Sequence, residues 1–301
     1  MTTLARHHRR VLLTSWMLLV GLMAGCGSQR TTVPFALGTV VRNLTYCGSQ
    51  RLDLYIPSKA GAHTLPVAVY VHGGGMSSGD KSDLNPVFRD ALSTAGYAVA
   101  SIDYRLAPAA RFPAQIEDVK CAIRYLRARS TALGLNPADI VAFGTSVGGQ
   151  LVALAALTGT SSTWATDQYP TEPSSLVAVT DMFGPANLTQ PASGFTPSGI
   201  QTAFGRDDRL DLVRASPTHY VAAGAPPILI IQGSADTKVL DSQALELFGD
   251  LKAAGDKTEL VMVQHMGHMF AQVGSYPIQP SLRQIAQDMV GFFGTYIQSG
   301  A

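Results

Sequence analysis

Residues 140–143, Ile-Val-Ala-Phe, form an apolar run that stops at Gly144-Thr145-Ser146-Val147-Gly148 and resumes as a helix-forming run over 150–157. Strand, glycine-flanked serine and helix in direct succession specify a sharp strand-to-helix turn with Ser146 at its apex. Gly144 and Gly148 let the backbone double back there, and the hydroxyl of Ser146 projects free. The helix that begins at this point aims its first N–H groups, and the positive end of its dipole, at any oxygen above the serine. Elsewhere the chain repeats the alternation: strand-like residues 97–102, an amphipathic stretch over 116–129, the serine turn, then 176–182. That order calls for a mainly parallel sheet covered on both faces by helices, an α/β fold. With 301 residues, 46% hydrophobic and 14% charged, the chain can bury one full core in a single domain.

Upstream, Pro66-Val67-Ala68-Val69-Tyr70-Val71 reads as a buried strand that runs directly into His72-Gly73-Gly74-Gly75. Three glycines leave no side chain between backbone N–H groups and a ligand. Acyl transfer passes through a tetrahedral intermediate with a full negative charge on oxygen, and losing one preorganised donor to it costs on the order of 3 kcal/mol. Gly74, Gly75 and Val147 are the expected donors. Residues 74–82 also resemble a phosphate-binding loop, but Asp80 separates Gly79 from Lys81 where that motif requires glycine followed at once by lysine. An acid at that place repels phosphate.

A nucleophilic serine needs a base and an acid that orients it. Residues 227–232 form an apolar strand opening into Gly233-Ser234-Ala235-Asp236, which puts the Asp236 carboxylate just past the strand end. Asp236 precedes the helical run that starts near Asp241 by too many residues to cap it, a role that suits Asp241 better. The next strand, residues 260–263, ends at Gln264-His265-Met266-Gly267-His268. His268 follows a glycine turn that carries it clear of the strand, whereas His265 takes the strand's last position and points to packing or solvent. His268 is therefore the expected base, with His265 its competitor.

The order Ser146, Asp236, His268 behind an early glycine loop resembles the α/β-hydrolase superfamily. Within it the chain resembles the carboxylesterase branch related to hormone-sensitive lipase and to the bacterial feruloyl-esterase-like (BD-FAE) enzymes. Further motifs carry the likeness: residues 51–57, Gly79-Asp80-Lys81, Asp103-Tyr104-Arg105, Phe112-Pro113 with Asp118, and Ser216-Pro217. Thr145 and Val147 depart from the acidic or histidine and alanine residues more common in relatives, and the long N-terminal cap helices of lipase-like members are missing. The resemblance implies an α/β-hydrolase fold with a small cap over residues 183–225, helical over 201–213, between the strand after the serine turn and the strand bearing the acid. It implies a serine carboxylesterase acting on small esters through a Ser146-Asp236-His268 triad and an acyl-enzyme, without metal or cofactor. With Phe183, Phe195 and Phe204 but no long apolar run in the cap, the site is expected to favour acetyl to about hexanoyl esters. An amidase or peptidase using the same triad, or a binding lipoprotein on a hydrolase scaffold, are the alternatives.

Residues 1–25 are a separate object. Arg6, His7, His8, Arg9 and Arg10 precede an apolar stretch over 11–22, and Met23-Ala24-Gly25 lead into Cys26. This reads as a secretory signal and resembles a bacterial lipoprotein box in which Cys26 becomes the lipidated N-terminus, with Met23 where leucine is usual. The apolar stretch is short for a bilayer, which needs about 20 residues. An ordinary cleaved signal and an uncleaved anchor are the other readings. On the lipoprotein reading, residues 26–38 are a tether, 39–301 the catalytic domain, and the protein is membrane-attached in the bacterial cell envelope. Loss of residues 1–25 removes three arginines and no acid, taking the formal charge from +1 to −2. Such a near-neutral surface gives no reason to expect a nucleic-acid partner. Export also places Cys47 and Cys121 in an oxidising setting. Cys121 lies opposite the apolar stripe of its helix and Cys47 in a hairpin turn between residues 40–46 and 51–56, so the two can pair or stand as unrelated thiols.

Overall fold

The computed structural model describes residues 2, 34–59, 64–205 and 209–297. The chain divides into two units, residues 1–30 and 31–301. Apart from residue 2, the signal-like segment, together with Cys26 and most of the expected tether, lies outside the described residues.

Among the described residues, eight strands make one sheet: β1 (Val40–Thr45), β2 (Arg51–Tyr55), β3 (Leu65–Val71), β4 (Ala98–Ile102), β5 (Leu135–Thr145), β6 (Val179–Met182), β7 (Ile228–Gly233) and β8 (Thr258–Val263). Their order is β1-β2-β4-β3-β5-β6-β7-β8. β2 runs antiparallel to β1 and β4, and every other pairing is parallel. Helices α1 (Pro86–Thr94), α2 (Ala114–Ala128), α3 (Ser130–Leu133), α4 (Val147–Leu157), α5 (Pro197–Phe204), α6 (Arg209–Ala215), α7 (Asp241–Ala253) and α8 (Leu282–Gly294) complete the α/β-hydrolase architecture.

The strand sequences explain the layering. Successive side chains on a strand point to opposite faces, so a strand covered on both sides must be apolar throughout. On β3, Val67, Val69 and Val71 enter the core shared with Ile116 of α2, Leu151 of α4 and Leu247 of α7. Ala68 and Tyr70, between them, enter the opposite core with Phe88 of α1 and Phe293 of α8. β7 repeats the division, with Ile228 and Ile230 on one side and Leu229 and Ile231 on the other. β3, β5, β7 and β8 are parallel, so the residues that follow them emerge along one edge of the sheet, where ligand sites of open α/β sheets form.

Two features tie the outer helices down. Cys47 and Cys121 are joined in a disulfide with a Cα separation of 6.3 Å, pinning the β1–β2 turn onto α2. Cys121 is fully buried rather than on an outer face, because the turn and the segment carrying Thr166 and Tyr169 cover that side of α2. Immediately before Cys121 on α2, the ammonium of Lys120 donates to the carbonyls of Thr158, Ser161 and Thr163 at 2.8, 3.3 and 2.7 Å. All three protons are thereby used at the negative end of α4, where a cation is favoured. Burial lowers its pKa to about 8.

The cap differs in detail from the sequence reading. The expected helix over 201–213 is two helices, α5 and α6, with Gly205 left-handed after the first. Asp241 is the first residue of α7 rather than its cap, which is Leu240. In that position its charge still favours the helix N-terminus.

The disulfide closes 74 residues of sequence, for which the chain-entropy account gives about 4 kcal/mol. Replacing both cysteines by alanine should lower the urea-unfolding free energy by at least about 2 kcal/mol. An unchanged unfolding curve would show that the crosslink does not constrain the chain.

Candidate active site

β5 delivers Ser146 to the sheet edge in a conformation few residues adopt, with φ 54° and ψ −126°. Its glycine neighbours are required by close backbone contact. A Cβ on Gly144 would lie 2.3 Å from the carbonyl of Gly148, and one on Gly148 would lie 2.0 Å from the carbonyl oxygen of Val71. β3 and the start of α4 therefore touch backbone to backbone, which brings the glycine loop beside the serine.

That loop is held from beneath. Gly74 has φ 105° and Gly75 φ 61°, and a Cβ on Gly74 would meet the carbonyl oxygen of Ser78 at 2.1 Å. The Tyr104 hydroxyl donates to the carbonyls of His72 and Gly73, each at 3.1 Å, and its ring stacks on His72 at 4.1 Å. His72, whose pKa is lowered by burial, bonds the carbonyl of Gly73 through Nδ1, so it braces the loop and stays uncharged. Arg105 then locks the segment by a two-oxygen pairing to Asp118 on α2. Asp80 accepts from the N–H of Ser82 and caps the short turn Lys81–Asp83. With these carbonyls turned away, the N–H groups of Gly74, Gly75 and Val147 have no protein acceptor among the described residues, and all three residues line one open cleft with Ser146 and His268.

From the other side β7 and β8 supply Asp236 and His268. His268 Nε2 lies 3.0 Å from Ser146 Oγ, and Nδ1 lies 2.7 Å from Asp236 Oδ2. A carboxylate can only accept, so Nδ1 carries the ring proton and Nε2 accepts from the serine hydroxyl. Asp236 is fixed in turn, its Oδ1 accepting from the N–H groups of Lys238 and Val239 at 2.8 and 3.1 Å. The Asp236 side chain is wholly buried and that of His268 is 15% exposed, so the relay is shielded at one end and open at the other. His265 stands apart, its ring 5.3 Å from that of Tyr276.

The cleft measures about 450 Å³ and is walled on the cap side by Pro185, Ser193 and Phe195, with Val239 of the segment after β7 beside them. Among the described residues no group of three or more His, Cys, Asp or Glu could hold a metal. A family model described as BD-FAE matches residues 52–251, which includes the glycine loop, Ser146 and Asp236. The chain belongs to the BD-FAE family. It is 29% identical over 246 residues to Esterase LipC of Mycobacterium tuberculosis, covering 79% of this chain and 61% of that one. The chain thus spans about three fifths of that relative's length. Its fold matches a truncated carbohydrate esterase from gut microbiota at 27% identity, TM-score 0.72, over 87% of this chain and 97% of the other. It also matches the propionate-bound esterase Est2 of the planctomycete Thermogutta terrifontis at 25% identity, TM-score 0.68, over 86% and 93%.

Several parts of this BD-FAE site escape a reading of motifs. Phe183 does not line the cleft as a cap residue. It lies fully buried against the His268 ring at 5.2 Å and is itself backed edge-on by Phe270 at 4.9 Å, so a packed ring sets the tilt of the imidazole. Phe204 is likewise packed away against Phe112 and Phe195, which leaves Phe195 as the cap aromatic in the cleft. Asp181, third residue of β6, is buried behind the serine turn and accepts from the Gly184 N–H at 2.9 Å. A Cβ on Gly149 or Gly184 would fall 2.1 or 2.3 Å from its Oδ1, so those two glycines make room for it. Glycines at 149 and 184 are the sequence trace of this contact, but neither points to a partner on its own.

Burial raises the Asp181 pKa to about 7. In an unfolded chain the group ionises near 3.9, so between about pH 4 and pH 7 the folded state binds more protons. Its contribution to stability is therefore complete below pH 4 and falls as pH rises through 7. Asp181→Asn keeps the acceptor for Gly184, and the stability of the natural protein relative to this variant should decline from pH 4.5 to pH 8. A difference that stays flat over that range, read by urea unfolding, would contradict the assignment.

Proposed function

We propose that this chain is a serine carboxylesterase that hydrolyses short-chain carboxylic esters through Ser146, His268 and Asp236. The reading rests on the unbroken chain of contacts from Asp236 through His268 to Ser146, next to three unengaged N–H groups. Ser146 Oγ attacks the ester carbonyl as His268 Nε2 takes its proton. Asp236, held by two backbone N–H groups, stabilises the imidazolium. The oxygen that becomes anionic is received by Gly74, Gly75 and Val147. His268 returns the proton to the departing alcohol, then draws one from the water that attacks the acyl carbonyl and passes it to Ser146 Oγ as the acid is released. The esterase names of LipC and Est2, and the propionate held by Est2, support the ester class and the short acyl chain.

We further propose that the enzyme is exported to the bacterial cell envelope and held at a membrane through lipid on Cys26. Support for this comes from the sequence: a basic region, a short apolar stretch and small residues before Cys26.

With p-nitrophenyl butyrate, Ser146→Ala and His268→Ala should each reduce kcat/KM by roughly 10⁴ or more, since the triad acts as one unit. His265→Ala should retain activity within about threefold, as expected of a side chain outside the triad. Equal losses at 265 and 268 would overturn the choice of base, and faster cleavage of matched anilides than of esters would overturn the ester class.

The anchor makes its own expectation. Processing should be sensitive to globomycin, and Cys26→Ser should release the protein or stall it as precursor. A mature, cleaved Cys26→Ser protein still partitioning with membranes would refute lipid attachment.

A further inference from the structure

Behind the cleft lies a second, smaller cavity of about 100 Å³. Its walls are Tyr70, Phe88, Phe143, Met182 and Phe270, with Thr145, the residue directly before Ser146. The polar atoms in those walls are already engaged. The Tyr70 hydroxyl bonds Thr145 Oγ1 at 3.2 Å and donates to the carbonyl of Asp83 at 3.3 Å, and burial raises its pKa to about 12, which keeps it neutral. Asp83 and Asn85 complete the lining at the rim, their side-chain oxygens accepting from the N–H groups of Asp80 and Val87 at 3.1 and 2.9 Å, and the rings and thioethers of the remaining wall suit an apolar group of a few atoms.

Two residues line both spaces, Asp83 and Met269. Asp83 is an exposed rim residue whose carboxylate accepts from the N–H of Asp80 at 3.1 Å. Met269 follows His268 directly. It is held left-handed at φ 55° and ψ 39°, and at 48% exposure is among the few large apolar side chains left open to solvent. Packing does not account for it there, whereas a partition between cleft and chamber does.

We propose that the small cavity is the acyl chamber of the site and that Met269 is the partition that sets acyl length. This rests on the esterase reading, and the order of chemical steps supports it. The alcohol leaves first and needs an open route, which the 450 Å³ cleft provides. The acyl group stays covalently on Ser146 until water arrives, and benefits from an enclosed apolar space one residue away. The chamber has less than a quarter of the volume of the cleft, and so favours an acyl chain of a few carbons, within the acetyl-to-hexanoyl range read from the sequence.

The test compares two substrate series on the natural protein, Met269→Ala and Met269→Leu: p-nitrophenyl esters from acetate to octanoate, and alkyl acetates from methyl to octyl. Each additional buried methylene is worth about fourfold in kcat/KM. Met269→Ala should move the acyl optimum about two carbons longer and raise the hexanoate-to-acetate ratio by about tenfold or more. Its alkyl acetate profile should run parallel to that of the natural protein, and Met269→Leu, of similar volume, should keep the natural acyl profile. An unchanged hexanoate-to-acetate ratio in an active Met269→Ala protein, or a shift in the alcohol series instead, would overturn this inference alone. Absence of turnover on any ester by the natural protein would overturn the esterase reading and this inference with it.

Discussion

A backbone contact at one edge of the sheet carries the rest of the site. The carbonyl of Val71, last residue of β3, stands where a side chain on Gly148 would be, and the Gly148 backbone in turn fills the space above Gly144. Because nothing separates these segments, the glycine loop that continues β3 and the serine that continues β5 share one space. Holding Ser146 at φ 54° and ψ −126° costs of order 1–3 kcal/mol, which only a well-packed surrounding can offset. The surrounding is well packed: α4 is buried over nearly its whole length, and its far end is held by the Lys120 ammonium.

Electrostatics at the other side of the site follows the same logic of fixed partners. A carboxylate buried beside an imidazole is costly unless its remaining oxygen is satisfied, and the Lys238 and Val239 N–H groups meet that need for Asp236. Phe183, backed by Phe270, then limits the tilt of the His268 ring. The side chains that bear the proposed chemistry are thus positioned by groups that take no part in it, the arrangement preorganised catalysis requires.

The sheet and the order of the site were legible in the sequence because both rest on local signals. Residues 66–71 and 227–232 are apolar at every position since both faces of those strands are covered, and the glycines around Ser146 have a steric reason that any chain of this kind must meet. His268 stood out from His265 because a glycine turn changes direction between them. What stayed hidden depends on contacts between residues far apart in the chain. Phe183 looked like a pocket residue, yet its distance to His268 is set by β6 and β8 lying on either side of β7. Asp181 offers no motif, and its raised pKa comes from burial between neighbouring strands and against Gly149 and Gly184, which the packed fold creates. The division of the expected 201–213 helix turns on a left-handed Gly205, a residue type whose conformation is not fixed by sequence alone.

The proposed chemistry requires Ser146 to be a nucleophile activated by His268. Treating the protein with a p-nitrophenyl alkylphosphonate and mapping the adduct by peptide mass spectrometry tests it directly, since such a reagent is trapped after attack without any need for turnover. The account predicts one phosphonyl group per chain, on the peptide containing Ser146, and on the same time scale little or none in His268→Ala. Stoichiometric labelling at any other residue, or labelling of Ser146 at an undiminished rate in His268→Ala, would contradict it.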